Sequence, residues 1–166
     1  RQMCIRDRFS TSLIAYDAYK SSGMFEGGKS GKILSWISIA PTAQHVLTLK
    51  DSGINTLADL KDKRIGMGQP GGVSMLDADA LTALLGLKPD DDFKPFRVRL
   101  GNMVDMLGDG QVDAVLWNGS FPLPPVKKIS TQRDIKLLPI PDDTFAELQG
   151  KYPPYFRNEI PAGTYK

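Results

Sequence analysis

The stretch "KRIGMGQPGGVSMLDADALTALLG", residues 63–86, decides how the rest is read. Residues 63–68 have the brevity of a strand. A proline and two glycines follow, and Ser74 stands ready to cap a helix. Asp77, three residues on, fits a short capping box. Met75, Ala78, Leu81 and Leu85 keep the helical period, and Gly86 sits where a left-handed residue ends a helix. Glycines at such a junction let the backbone N–H groups of 71–74 converge on one point, with the positive end of a helix dipole behind them. That arrangement suits a carboxylate or a phosphate. The same residues also serve as nothing more than a tight turn and its cap.

Working outward, "PFRVRL" reads as a second strand and "GNMVDMLGDG" as a second helix with Met103, Met106 and Leu107 inward. "VDAVLWN" reads as a third strand. Residues 63–118 therefore spell β-α-β-α-β with short connections, a parallel unit with right-handed crossovers. Upstream, "FSTSLIAYDAYKSSG" predicts a helix stopped by Gly23, and "AQHVLTLK" a strand. "INTLADLKDK" predicts a short helix capped by Asn55 or Thr56, with Leu57 and Leu60 on one face. Downstream lie a proline-rich segment before a short helix or turn, a strand in "IKLLPI", a helix in "DDTFAELQGKY" and an extended, proline-broken tail.

Composition narrows the classes. The chain has 166 residues, 41% hydrophobic and 24% charged, and no apolar run of 18 or more, so no segment is expected to enter a membrane stably. Residues 1–8, "RQMCIRDR", carry three arginines and the only cysteine without an apolar period, and read as a non-native leader. Without them Lys+Arg falls from 21 to 18, Asp+Glu from 19 to 18, and the net charge from +2 to 0. Basicity thus gives no argument for a nucleic-acid partner.

Catalytic sets are thin. One histidine, His45, lies in or beside a strand, and no cysteine remains after Cys4 is set aside. Neither a metal site nor a triad is expected from one ring. Asp90, Asp91 and Asp92 read as a solvated turn, and Asp59 and Asp113 as capping residues. Gly66, Gly68 and Gly71 match the dinucleotide pattern G-x-G-x-x-G, but Gly66 falls inside the strand and no acid ends the next strand. Trp117 and Asn118, at the end of the third strand, suit recognition of a small polar solute; Trp117 serves equally well as core.

Three segments together, "DSGINTLADLKDKRIGMGQPGGVS", "DGQVDAVLWNGSFPLPPVKKI" and "YPPYFRNEIPAGTYK", resemble the TAXI solute receptors of TRAP transporters, in order and spacing over most of residues 9–166. The resemblance implies an α/β, type II periplasmic-binding-protein-like fold, with one lobe near complete and part of a second. Residues 9–52 would belong to the first lobe and a crossover strand, 53–140 to the second lobe, and 141–166 to the start of the return. It implies a periplasmic or extracytoplasmic location and a small carboxylate or amino acid, such as glutamate, bound between the lobes. The solute would pass to a membrane permease without chemistry or cofactor. An enzyme or a nucleotide-binding domain on a similar fold is the alternative.

The family's ligand loop falls on Pro70, Gly71, Gly72, Val73 and Ser74, where the usual "GSGT" reads "GGVS". Ser10, Thr11 and Tyr16 match the region where the first lobe meets the solute, and Trp117 and Asn118 match the opposite strand end. Family members are about twice this length, and the chain resembles their middle, so both ends are expected to continue. Cutting a lobe exposes apolar strand faces, which predicts loose packing for residues 9–50 and 141–166.

Overall fold

The computed structural model describes residues 11–28 and 40–165. The candidate Ser10 and the leader 1–8 lie outside them. Five strands form one mixed sheet in the order β3-β2-β4-β1-β5. They are β1 (Ala43–Leu49), β2 (Arg64–Met67), β3 (Lys94–Arg97), β4 (Ala114–Gly119) and β5 (Ile135–Leu137). β2 pairs in parallel with both β3 and β4, as the β-α-β-α-β reading requires. β1 runs antiparallel between β4 and β5.

Helices α2 (Val73–Leu84) and α3 (Leu100–Gly108) make the two crossovers, preceded by α1 (Ser12–Lys20) and followed by α4 (Pro124–Ser130) and α5 (Asp142–Lys151). Side chains alternate across the sheet and build a core on each face. Along β4, Ala114 and Leu116 join Ile65, Met67, Ala78 and Leu81 on the α2 side. Val115 joins Met103, Leu107, Val126 and Ile129 on the α3–α4 side. Gly66 has no side chain because Met103 lies over it: an added Cβ would stand 3.0 Å from the Met103 sulfur. Asp113 locks β2 to β4, accepting from the Arg64 amide at 2.8 Å and from its guanidinium at 2.6 Å. The same arginine holds the Asp113 carboxyl below its usual range.

Two expectations fail. Residues 54–63 give only a 3-10 turn, Ala58–Leu60. The cap runs backwards: the Asp59 carboxylate accepts from the amides of Asn55 and Thr56, at 2.9 and 2.8 Å, so neither of those residues caps a helix. Leu57 and Leu60 are still buried together. Loose packing fails for β1, which is paired on both sides and is buried at every position but Gln44. A strand in the middle of a sheet is held by its ladder whatever becomes of the chain before it.

His45 sits on β1 and is 1% exposed. Its Nδ1 lies 3.0 Å from the Ala43 carbonyl, which can only accept, so Nδ1 carries the proton and Nε2 accepts from the Tyr165 hydroxyl at 2.7 Å. Tyr165 Oη in turn accepts from the Leu123 amide at 3.1 Å. The far tail is thereby tied to the middle of the sheet.

Burial pushes the His45 imidazole below its ordinary value of 6.5. The unfolded chain therefore takes up a proton that the folded chain resists, and stability present above pH 6.5 is lost as the pH falls through it. Urea unfolding at pH 7.5 and 5.5 should show this loss, at most about 1.4 kcal/mol per pH unit from this group. A His45→Gln variant should show a smaller difference between the two pH values. Hydrogen exchange should find the amides of residues 46–48 as slow as those of 115–116; fast exchange there would contradict a central β1.

Candidate functional site

The parallel strands β2, β3 and β4 end along one edge of the sheet, where ligands of open α/β sheets sit. At that edge β2 turns through residues 68–72 into α2. Gly68 permits the close approach: an added Cβ would stand 2.8 Å from the Met75 nitrogen. Gly71 adopts φ +76, open to glycine at no steric cost. The Gly72 amide donates to Gln69 O at 3.0 Å and closes the turn. Gly72 is the N-cap, with φ −87 and ψ 149. Among the described residues, no acceptor takes the amides of Gly71, Val73 or Ser74. Pro70 and Gly71 are exposed, and Gly72 and Val73 half-buried.

Ser74 is not the cap, contrary to expectation. It is buried, and its hydroxyl donates to the Asn118 carbonyl of β4 at 3.1 Å. Asp77 closes no capping box. It turns inward one helical turn later, accepts from Asn118 Nδ2 at 2.6 Å, and accepts a short hydrogen bond from the Tyr155 hydroxyl. The reason is the docking of α2: residues 74, 77, 78 and 81 share the stripe that faces the sheet, so both polar side chains meet β4 before they can reach the helix end.

The Asn118–Asp77–Tyr155 cluster lines a cavity of about 450 Å³. The cavity lies between the α2 side of the sheet, the start of α1, α5 and the tail after it. Gln44, the partner of Asn118 across β1–β4, also lines it, and its Oε1 is buried without a hydrogen-bond partner. Burial raises the Asp77 carboxyl above the usual carboxylate range, opposed by the bonds from Tyr155 and Asn118. Burial, with the Asp77 charge, pushes the Tyr155 phenol up.

Of the residues named from sequence, Thr11 and Asn118 line this cavity. Pro70, Gly71, Gly72 and Val73 stand beside it on the α2 loop, joined through the Ser74–Asn118 bond. Tyr16 lies on α1 with the Lys20 ammonium 6.0 Å from its ring centre, away from the cavity lining. Trp117 packs on the opposite core with Val115, because adjacent strand residues point to opposite faces. Gln44 and Tyr155 went unnamed, and Asp77 was named only as a capping partner. Asp77 had a signal: an acid set inside the apolar stripe of an amphipathic helix. Tyr155 had none, being 78 residues away in the chain. Among the described residues, no group of three or more His, Cys, Asp or Glu is placed to hold a metal ion.

A five-stranded mixed sheet with helices packed on both faces defines an α/β domain. The chain belongs to the NMT1-like family, whose model matches residues 8–166. Among solved structures it is similar to the periplasmic aliphatic sulphonate binding protein SsuA from Escherichia coli, at 27% identity over 58% of this chain and 29% of that one, TM-score 0.45. The alkanesulfonate-binding protein SsuA from Xanthomonas axonopodis pv. citri matches at 29% identity over 58% and 32%, TM-score 0.44. A TctC solute binding protein from Polaromonas matches at 22% identity over 57% and 33%, TM-score 0.46. The chain therefore spans about a third of the length of these proteins. Among the described residues, no helix is long and apolar enough to cross a membrane.

The Tyr155–Asp77 bond ties the tail to α2. Tyr155→Phe should cost about 1.5–3 kcal/mol, the range for a hydrogen bond to a charged group, read from urea unfolding. Adding Asp77→Ala should be strongly non-additive in a double-mutant cycle, since both changes remove one contact.

Proposed function

We propose that this chain is the solute-holding portion of an extracytoplasmic receptor of the TAXI class. It takes a small carboxylate or amino acid at the carboxyl edge of the sheet and passes it, chemically unchanged, to a TRAP-type permease. Membership of the NMT1-like family and the three resembling segments support this reading, and the resemblance extends to glutamate as a solute. The observation that carries it is the set of amides at Gly71, Val73 and Ser74, which no protein acceptor takes among the described residues, at the accessible start of a 12-residue helix. Such donors hold an oxyanion without a fixed cation.

Val73 allows a clean test. It is the first helical residue, where proline is tolerated, and Gly72 already has the extended backbone that a following proline needs. Val73→Pro thus deletes one donor and keeps the helix. Calorimetric titration with glutamate, other dicarboxylates and neutral amino acids should find a solute bound at micromolar affinity or tighter. Val73→Pro should weaken it tenfold or more with the melting temperature unchanged. Unaltered affinity in the variant would remove the loop from the site, and turnover of the solute would end the receptor reading.

A further inference from the structure

The cavity beside α2 holds a charge that the fold leaves without its opposite. Asp77 lines the cavity and is 5% exposed. Its carboxylate accepts from Asn118 Nδ2 and from the Tyr155 hydroxyl, both neutral donors. Among the described residues, no lysine, arginine or histidine pairs with it. An acid is seldom buried to this degree unless a cation answers it. Here the hydrogen bonds are met and the charge is not.

The groups around Asp77 offer acceptors and no spare donor. Asn118, which also lines the cavity, gives Nδ2 to the ionised carboxylate, and this fixes Oδ1 as its other end. That oxygen accepts from no described residue and, unlike Gln44 Oε1, is not buried. Tyr155 donates its one proton to Asp77 and has only lone pairs left. The charged residues lining the cavity are Asp77, Glu159 and Arg157. Arg157 is already paired with Asp142 at 2.5 Å and lies 5.0 Å over the Phe145 ring. An anionic guest would have to take Arg157 from Asp142 and stand against Asp77; a cationic guest meets two acids. The remaining walls are apolar, with Val46 from β1, Leu81 from α2, Leu138 and Ile140 after β5, and Phe145 and Leu148 from α5. The volume, about 450 Å³, lies within the range of roughly 300–1,000 Å³ usual for small-molecule sites.

We infer that this cavity takes a primary amine with an aliphatic or aromatic body. The ammonium donates to Asn118 Oδ1 and answers the Asp77 charge beside it, shielded from water, while the apolar body packs on Leu81, Ile140 and Phe145. This goes beyond the receptor reading above: Pro70, Gly71, Gly72 and Val73 do not line the cavity, so the amine and an anion at the α2 loop use separate groups.

Calorimetry on the whole chain with 3-methylbutylamine, 2-phenylethylamine, 3-methylbutan-1-ol and 4-methylpentanoate tests this. The first, third and fourth share one apolar body and differ in the charge of the head. Each amine should bind at least tenfold more tightly than the alcohol, and the carboxylate more weakly than the alcohol. Asp77→Asn keeps an acceptor for Asn118 and removes the charge; it should weaken both amines tenfold or more and leave the alcohol unchanged, a split that loss of packing would not produce. Ile140→Trp narrows the cavity and should weaken 2-phenylethylamine more than 3-methylbutylamine, which provides an independent check if Asp77→Asn unfolds. Equal binding of amine and alcohol, tighter binding of the carboxylate, or binding of neither amine would overturn the inference. None of these outcomes touches the receptor reading, whose own test is Val73→Pro at the loop.

Discussion

The first turn of α2 is clamped to the end of β4, and the geometry of the candidate site follows from that clamp. Ser74 donates to the Asn118 carbonyl, and the Asn118 side-chain amide donates to Asp77. These bonds turn two residues that would otherwise cap a helix into sheet-facing side chains. The helix start is left with amides that nothing in the described protein accepts. An α/β unit usually satisfies its first-turn donors with a side chain or water; here the side chains best placed to do so are engaged elsewhere.

The same clamp buries a carboxyl. An acid taken out of water is costly unless its oxygens are bonded, and Asp77 has both bonded. The second partner, Tyr155, comes from the tail, so the segment after α5 is drawn back over the α2 face and lines one side of the cavity. A second tyrosine of that tail, Tyr165, reaches the other core and satisfies His45. The tail is thus tied on both faces of the sheet. Two buried groups, His45 and Asp77, respond to acid in opposite senses. His45, held neutral, costs stability on acidification, whereas Asp77, with its proton affinity raised, gains it.

The central position of β1 organises the remainder. Antiparallel to β4 and β5, it places Gln44, whose Oε1 is buried without a partner, opposite Asn118 of the clamp. It also adds Val46 to one core and Leu47 and Leu49 to the other, which makes this strand common to both layers.

Much was legible without coordinates. The strand of residues 63–68, the helical period from Met75 to Leu85, Gly86 at φ +69 and the parallel β-α-β-α-β order follow from local geometry, which needs only neighbouring residues to act. Gly66 and Gly68, the first two glycines of the dinucleotide-like pattern, are room for Met103 and for α2 itself, since a missing Cβ serves close packing as well as binding. The capping roles of Ser74, Asp77, Asn55 and Thr56 failed for one reason. A short polar side chain takes whichever partner comes within reach, and that partner is set by what packs against it. Tertiary structure alone decided that Trp117 and Asn118 serve opposite faces, that Gln44 Oε1 is buried without a partner, and that Tyr155 meets Asp77. Sequence by itself determined the periodicities, because they depend on residues one to four apart. The pairings across 41 and 78 residues were decided by the packing of helix and tail onto the sheet.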